Sequence, residues 1–168
     1  MGKLFVTYNQ IHKDLYEIIP DVKSKADPEV IIAIGGGGYI PARIVRTLLG
    51  VPTFGIGIQL YDPDDKIRPS GPQKIQWFDK NSLQLLKGKR VLLVDDVDDA
   101  RTTLRFCVEE LKKVGIDDIS VLVLHNKQKE KKPLEISHYF ACWIIPKDCW
   151  VVYPWESTEI DEHDKMSE

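Results

Sequence analysis

The stretch VLLVDDVDDARTT at residues 91–103 changes character twice. Val91, Leu92, Leu93 and Val94 form an unbroken apolar run, the pattern of a strand covered on both faces in a parallel sheet. From Thr102 the period becomes helical. Leu104, Cys107, Val108, Leu111 and Val114 fall on one stripe, with Arg105, Glu109, Glu110, Lys112 and Lys113 opposite, and Gly115 supplies the stop. A strand that feeds a helix through a short loop leaves the first helical N–H groups unpaired and aims the positive end of the helix at the loop. Such a loop is a ready cradle for a phosphate.

Between strand and helix stand Asp95, Asp96, Asp98 and Asp99. Carboxylates this close repel one another and are tolerable mainly where they meet hydroxyls, a divalent cation or solvent. A sugar 5′-phosphate supplies partners for both halves of the segment, its hydroxyls for the acids and its phosphate for the loop amides. The plain alternative is a solvated acidic turn in which Asp98 or Asp99 caps the helix.

The same alternation continues on either side. A helix is expected over 7–23, with Thr7 and Gln10 at capping-box spacing and Ile11, Leu15, Ile18 and Ile19 as its apolar side. Strands are expected near 30–34, 53–60, 90–94, 119–124, 139–143 and 150–152, and a helix over 41–49. Strands and helices alternating in this way imply an α/β fold, an open, mostly parallel twisted sheet flanked by helices. Ligands then bind at the carboxyl ends of the strands. From about 61 to 81 the pattern breaks, with DPDD at 62–65 and PSGP at 69–72, and a loop of this length is usually functional or disordered.

Composition narrows the function. A chain of 168 residues, 43% hydrophobic, buries one substantial core, so one domain over 1–168 is expected. No segment approaches a membrane span, and the N-terminus lacks a signal-peptide pattern. Cys107, Cys142 and Cys149 are odd in number and none pairs at metal-ligand spacing, which fits a reduced, cytoplasmic setting. A net charge of −3 argues against nonspecific nucleic-acid binding, so an anionic substrate must be held locally.

The segment VDDVDDARTT resembles the phosphoribosyl diphosphate signature of type I phosphoribosyltransferases, and more narrowly that of the purine-salvage group. IIAIGGGGYIPAR at 31–43 is similar to the loop that binds diphosphate in that family, and WVVYPWE at 150–156 to its base-binding segment. The resemblance is closest to yeast-type hypoxanthine-guanine or xanthine phosphoribosyltransferases. It implies the type I fold with a small hood from about 1–10 and 139–168, a mobile loop at about 61–81 that closes over the reacting centre, and a homodimer or higher homo-oligomer.

The resemblance also implies roles. The substrates would be phosphoribosyl diphosphate and a 6-oxopurine, the products a nucleoside monophosphate and diphosphate, and the cofactor Mg2+. Asp95 and Asp96 would hold the ribose hydroxyls, directly or through magnesium. Asp99 would contact purine N7 and act as general base, with Tyr61 from the mobile loop as the other catalytic residue. The segment Asp98, Ala100, Arg101, Thr102 and Thr103 would take the 5′-phosphate, and Gly36 and Gly37 the diphosphate. Lys127 would donate to the purine O6, Trp150 would stack on the base, and the Val151 carbonyl would accept from it. Glu156 would lie near magnesium and the purine 2-substituent. Lys129, Lys131 and Lys132 by themselves read as a solvated face, and Trp155 reads as core.

Four positions depart from the family pattern. Leu60 stands where a Ser is frequent, Gly36 where relatives often have Lys or Arg, and Ala100-Arg101 where Thr-Gly is usual. These departures keep open a second reading, a catalytically silent nucleotide-binding regulator of the same fold. A phosphoribosyltransferase for another base is the third.

Overall fold

The computed structural model describes residues 2–167. A six-stranded sheet runs in the order β4-β3-β2-β5-β6-β7, where β2 is Val30–Gly35, β3 Thr53–Gln59, β4 Gln73–Gln76, β5 Val91–Asp98, β6 Ile119–Gln128 and β7 His138–Pro146. All neighbours are parallel except β3 and β4. The α/β class and the mostly parallel sheet agree with the expectation.

Because both faces are covered, alternate residues of one strand feed different cores. Ile31, Ala33, Leu92 and Val94 face α1 (Tyr8–Lys25) and α2 (Tyr39–Leu49), meeting Ile11, Leu15, Val22, Ala42 and Val45. Ile32, Ile34, Val91 and Leu93 face the other way, against Leu86 of α3 (Lys80–Leu86) and Leu104, Cys107, Val108 and Leu111 of α4 (Thr102–Lys113). Thr7 caps α1 by accepting from the Gln10 N–H at 3.1 Å, and the helix carries Pro20 on to Lys25.

Outside the main sheet, β1 (Lys3–Phe5) pairs in parallel with β8 (Trp150–Val152). A 3-10 turn over Pro154–Glu156 and α5 (Ile160–Lys165) follow. β7, expected to begin the hood, instead forms the edge of the main sheet through its register with β6. The segment 61–81 is also more regular than expected. It holds a Tyr61–Ile67 bridge, β4 and the start of α3, which Asp79 caps by accepting from the Ser82 N–H at 2.7 Å. Four exposed residues in β4 gave no buried alternation to read.

Strand order positions the site. From β2 the chain moves outward to β3 and β4, then returns to lay β5 on the opposite side of β2. The carboxyl ends of β2 and β5 therefore open beside one another at a topological switch point, where doubly wound sheets bind ligands. Gly35–Gly38 leaves one end and Asp95–Asp99 the other.

Candidate active site

A cavity of about 320 Å3 opens at this switch point. Its floor is the end of β5, with Asp95, Asp96, Asp98 and Asp99. One wall is the turn and the start of α4, from Ala100 to Leu104. Lys127 from β6 and Trp150, Val151, Tyr153 and Glu156 from the hood form another, and Leu60 and Tyr61 close the rim. Thus Tyr61, the four acids, 100–103, Lys127, Trp150, Val151 and Glu156 line one cavity. Gly36 and Gly37 do not line the cavity. Gly37 stands directly behind it, since a Cβ there would collide with the Asp96 carboxylate, whereas a Cβ on Gly36 would meet nothing.

The strand runs farther than the apolar run alone implies, because pairing with β6 continues through Asp98 against Asn126. Three of the four acids thereby belong to a strand rather than to a loop, and the turn shrinks to residues 99–101. The amides of Ala100, Arg101, Thr102, Thr103 and Leu104 have no acceptor among the described residues, and the first α4 donor satisfied is Arg105, on the Arg101 carbonyl at 2.9 Å. These are the orphan donors of a helix N-terminus, held open towards the cavity.

The acids divide into two kinds. Asp98 is 1% exposed, and its Oδ2 accepts from Arg101 Nε at 3.0 Å, Arg101 Nη2 at 2.8 Å and the Tyr139 hydroxyl at 2.8 Å. Lys131 Nζ lies 3.3 Å from its Oδ1. Asp99 is ion-paired with Lys127 at 3.1 Å and with Lys129. Burial pushes the Asp99 pKa up, but the hydrogen bonds and charges of Lys129 and Lys127 outweigh it and hold the carboxyl below its ordinary value.

Asp95 and Asp96 have no cationic side chain beside them. Burial, then the charge of Asp96, holds the Asp95 carboxyl well above its ordinary value. Burial raises Asp96 to about 6 with help from Glu156, although the Val97 N–H, 2.6 Å from Asp96 Oδ1, opposes the shift. The protein neutralises two of four neighbouring carboxylates and leaves two under-compensated at the cavity floor. A hard divalent cation would relieve that repulsion, and oxygen donors are the right set for magnesium. Among the described residues no three His, Cys, Asp or Glu side chains converge as a cage. Any cation here would therefore be shared with a ligand, as magnesium usually is with phosphates.

Trp150 is 53% exposed, so it is not a core residue, and Lys127 Nζ lies 5.6 Å from its ring centroid. The aromatic face, an ammonium and the Asp99 carboxylate thus surround one slot. Trp155 packs against the core and stacks on Tyr153 at 4.6 Å, as its reading implied.

Several participants were not legible in sequence. Lys129 and Lys131, read as a solvated face, are drawn in by Asp99 and Asp98, and the side chain of Lys131 is only 4% exposed. Alternation of Lys127, Lys129 and Lys131 past a buried strand was the available signal. Tyr139 and Tyr153 gave none, because a tyrosine in or beside an apolar strand reads as core. The Tyr153 hydroxyl lies 2.9 Å from His125 Nδ1 and donates to the Asp96 carbonyl at 3.1 Å. Arg101 differs most from expectation, since its guanidinium turns inward to Asp98 rather than towards the loop amides.

Similarity to known proteins follows this geometry. The phosphoribosyl transferase domain matches residues 7–156. Hypoxanthine-guanine phosphoribosyltransferase of Schizosaccharomyces pombe is 38% identical, over 96% of this chain and 93% of its own length. Xanthine phosphoribosyltransferase 1 of Saccharomyces cerevisiae is 35% identical, over 98% and 95%. A hypothetical protein from Neisseria gonorrhoeae, solved with bound ppGpp, superposes with a TM-score of 0.88 at 38% identity, covering 99% of this chain and 96% of that one. The open amides and paired acids at the switch point lie within the matched span, and the chain belongs to the phosphoribosyltransferase family.

Proposed function

We propose that this protein is a purine-salvage enzyme that transfers the 5-phosphoribosyl group of phosphoribosyl diphosphate to a 6-oxopurine, namely hypoxanthine, guanine or xanthine. One observation carries the reading. A single cavity presents five unpaired amides, two under-compensated carboxylates and an exposed Trp150 beside Lys127 and Asp99. Those groups match, in turn, a phosphate, a polyhydroxylated sugar with its cation, and a planar heterocycle bearing both an acceptor and a donor.

In this reading the amides of 100–104 and the hydroxyls of Thr102 and Thr103 hold the 5′-phosphate. Asp95 and Asp96 meet the ribose hydroxyls and, with Glu156, the magnesium. The cation, when bound, neutralises the departing diphosphate. Gly36 and Gly37 let the backbone approach that diphosphate. Trp150 stacks on the purine and the Val151 carbonyl accepts from it. Lys127 donates to O6 and Asp99 meets N7, which requires the base to divide the ion pair between them. Lys129 remains on Asp99 and keeps it charged. The transition state at C1′ is cation-like, so positioning, water exclusion under the Tyr61 rim and charge stabilisation supply the rate.

Diphosphate release measured with phosphoribosyl diphosphate and magnesium, in parallel with hypoxanthine, guanine, xanthine, adenine and uracil, tests the proposal. Turnover confined to 6-oxopurines supports it. Turnover with adenine or uracil alone assigns another base. The ppGpp bound to the Neisseria protein favours a second property for this chain, binding of a guanine nucleotide. Absence of turnover with all five bases, together with ppGpp binding, would favour the silent regulator. Self-association to a homodimer or larger assembly is also proposed, and only monomer in sedimentation at micromolar concentration would exclude it.

A further inference from the structure

The orientation of Arg101 assigns it a task other than touching substrate. It is the N-cap residue of α4 and holds φ 67°, ψ 5°, a left-handed conformation that glycine adopts freely and side-chain-bearing residues rarely do. Its side chain explains how an arginine stays there. Nε and Nη2 both donate to Oδ2 of the buried Asp98, Nη1 reaches the Lys132 carbonyl at 3.5 Å, and the guanidinium lies 5.2 Å from the Tyr139 ring centroid. Tyr139 donates to the same Asp98 oxygen, and Lys131 Nζ donates to the Asp98 carbonyl and to Asn126 Oδ1, each at 2.6 Å. The cluster ties together the end of β5, the turn at 99–101, the start of α4 and β7.

We propose that Asp98, Arg101, Tyr139 and Lys131 form a buried latch that holds the 99–103 turn open for phosphate, with Arg101 a positioning residue rather than a phosphate ligand. Where glycine would reach the left-handed conformation through its own freedom, this chain reaches it by anchoring a side chain beneath the loop. The anchor keeps the turn from relaxing, so the amides of 100–104 stand aligned before substrate arrives, and binding spends less free energy on ordering them. The inference rests on the phosphoribosyl diphosphate reading of the cavity.

The test compares Arg101→Gly, Asp98→Asn, the double variant and Tyr139→Phe by steady-state kinetics. Each substrate is varied in turn, and ribose 5-phosphate serves as a competitive probe of the cradle alone. Glycine suits φ 67°, so Arg101→Gly removes the latch without straining the backbone. If the loop loses its alignment, KM for phosphoribosyl diphosphate and Ki for ribose 5-phosphate rise by roughly 10- to 100-fold while KM for the purine holds. Asp98→Asn gives the same selective rise, and the double variant is no worse than either single one because both act through one contact. Tyr139→Phe shifts both constants the same way by less, and serves if the Asp98 variants do not fold. Loss in Arg101→Gly with Asp98→Asn and Tyr139→Phe unaffected would overturn the proposal in favour of direct phosphate contact. Lower thermal stability with unchanged constants would overturn it in favour of a purely structural cluster. Failure of the unsubstituted protein to bind ribose 5-phosphate would instead sink the reading of the cavity on which the inference rests.

Discussion

Gly37→Ala should damage both stability and the phosphoribosyl diphosphate site, while Gly36→Ala, one residue away, should leave stability unchanged. A Cβ on Gly37 would collide with the Asp96 carboxylate, and one on Gly36 would meet nothing within 4 Å. Neither glycine has a positive φ, so the contrast is one of space rather than of backbone strain. To admit the methyl group Asp96 must swing aside, breaking the bond from the Val97 N–H to its Oδ1 at 2.6 Å. Losing a hydrogen bond to a charged group costs about 1.5–3 kcal/mol. At roughly 2–4 °C per kcal/mol for a chain of this size, the melting temperature falls by about 3–12 °C. Asp96 also leaves the cavity floor, and displacement of a positioning group by about 1 Å can lower kcat/KM roughly 100-fold. Calorimetric melting and diphosphate release at varied phosphoribosyl diphosphate measure both effects. Gly37→Ala with unchanged melting and kinetics, or Gly36→Ala with an equal fall in melting temperature, would refute the packing argument.

Three further outcomes are expected. With the Asp96 carboxyl raised to about 6, roughly half the ligand-free molecules carry its proton at pH 6. A cation needs the deprotonated form, so magnesium–phosphoribosyl diphosphate binding weakens as pH falls through 6 and releases a proton there; calorimetry in two buffers of different ionisation enthalpy that found no release would contradict this. His125 is 2% exposed, and burial lowers its pKa from 6.5 to about 4, so the unfolded chain binds more protons between those values and stability falls as pH drops through that window. Relative to His125→Gln, the unsubstituted protein should lose roughly 2–3 kcal/mol between pH 7 and pH 4.5, a comparison in which the opposing effect of Asp95 and Asp96 cancels; parallel denaturant curves at the two pH values would exclude it. Asp99→Asn should lower kcat by about 100- to 10,000-fold, as for a lost general base, while leaving phosphoribosyl diphosphate affinity nearly intact; equal losses in both would make Asp99 a binding group.

The sheet was legible because it is covered on both faces. Apolar runs at 30–34, 91–94 and 119–124 can be little else, and the switch to helical period after Thr102 marks where the strand ends and α4 begins. β4 was not legible, since all four of its residues are exposed and its pairing is with β3 rather than with a core. β1 was not either, being three residues whose partner, β8, lies at the other end of the chain.

The chain of residue types alone determined that acids and open amides would meet at the carboxyl edge of a parallel sheet, because strand–helix alternation leaves the connecting loops nowhere else to converge, whereas Lys127 and Trp150 were placed beside them only by resemblance to the family. Which acid faces which cation was decided only in three dimensions. Asp98 and Asp99 are adjacent and chemically identical, yet one points beneath the loop to Arg101, Tyr139 and Lys131 and the other meets Lys127 and Lys129. The difference arises because successive side chains leave an extended segment on opposite sides, and because the partners other than Arg101 come from β6, the turn after it and β7, about 30 to 40 residues farther along. Local pattern reports which residues a strand carries to its end; the neighbouring strands decide which charges are paired and which remain for a ligand.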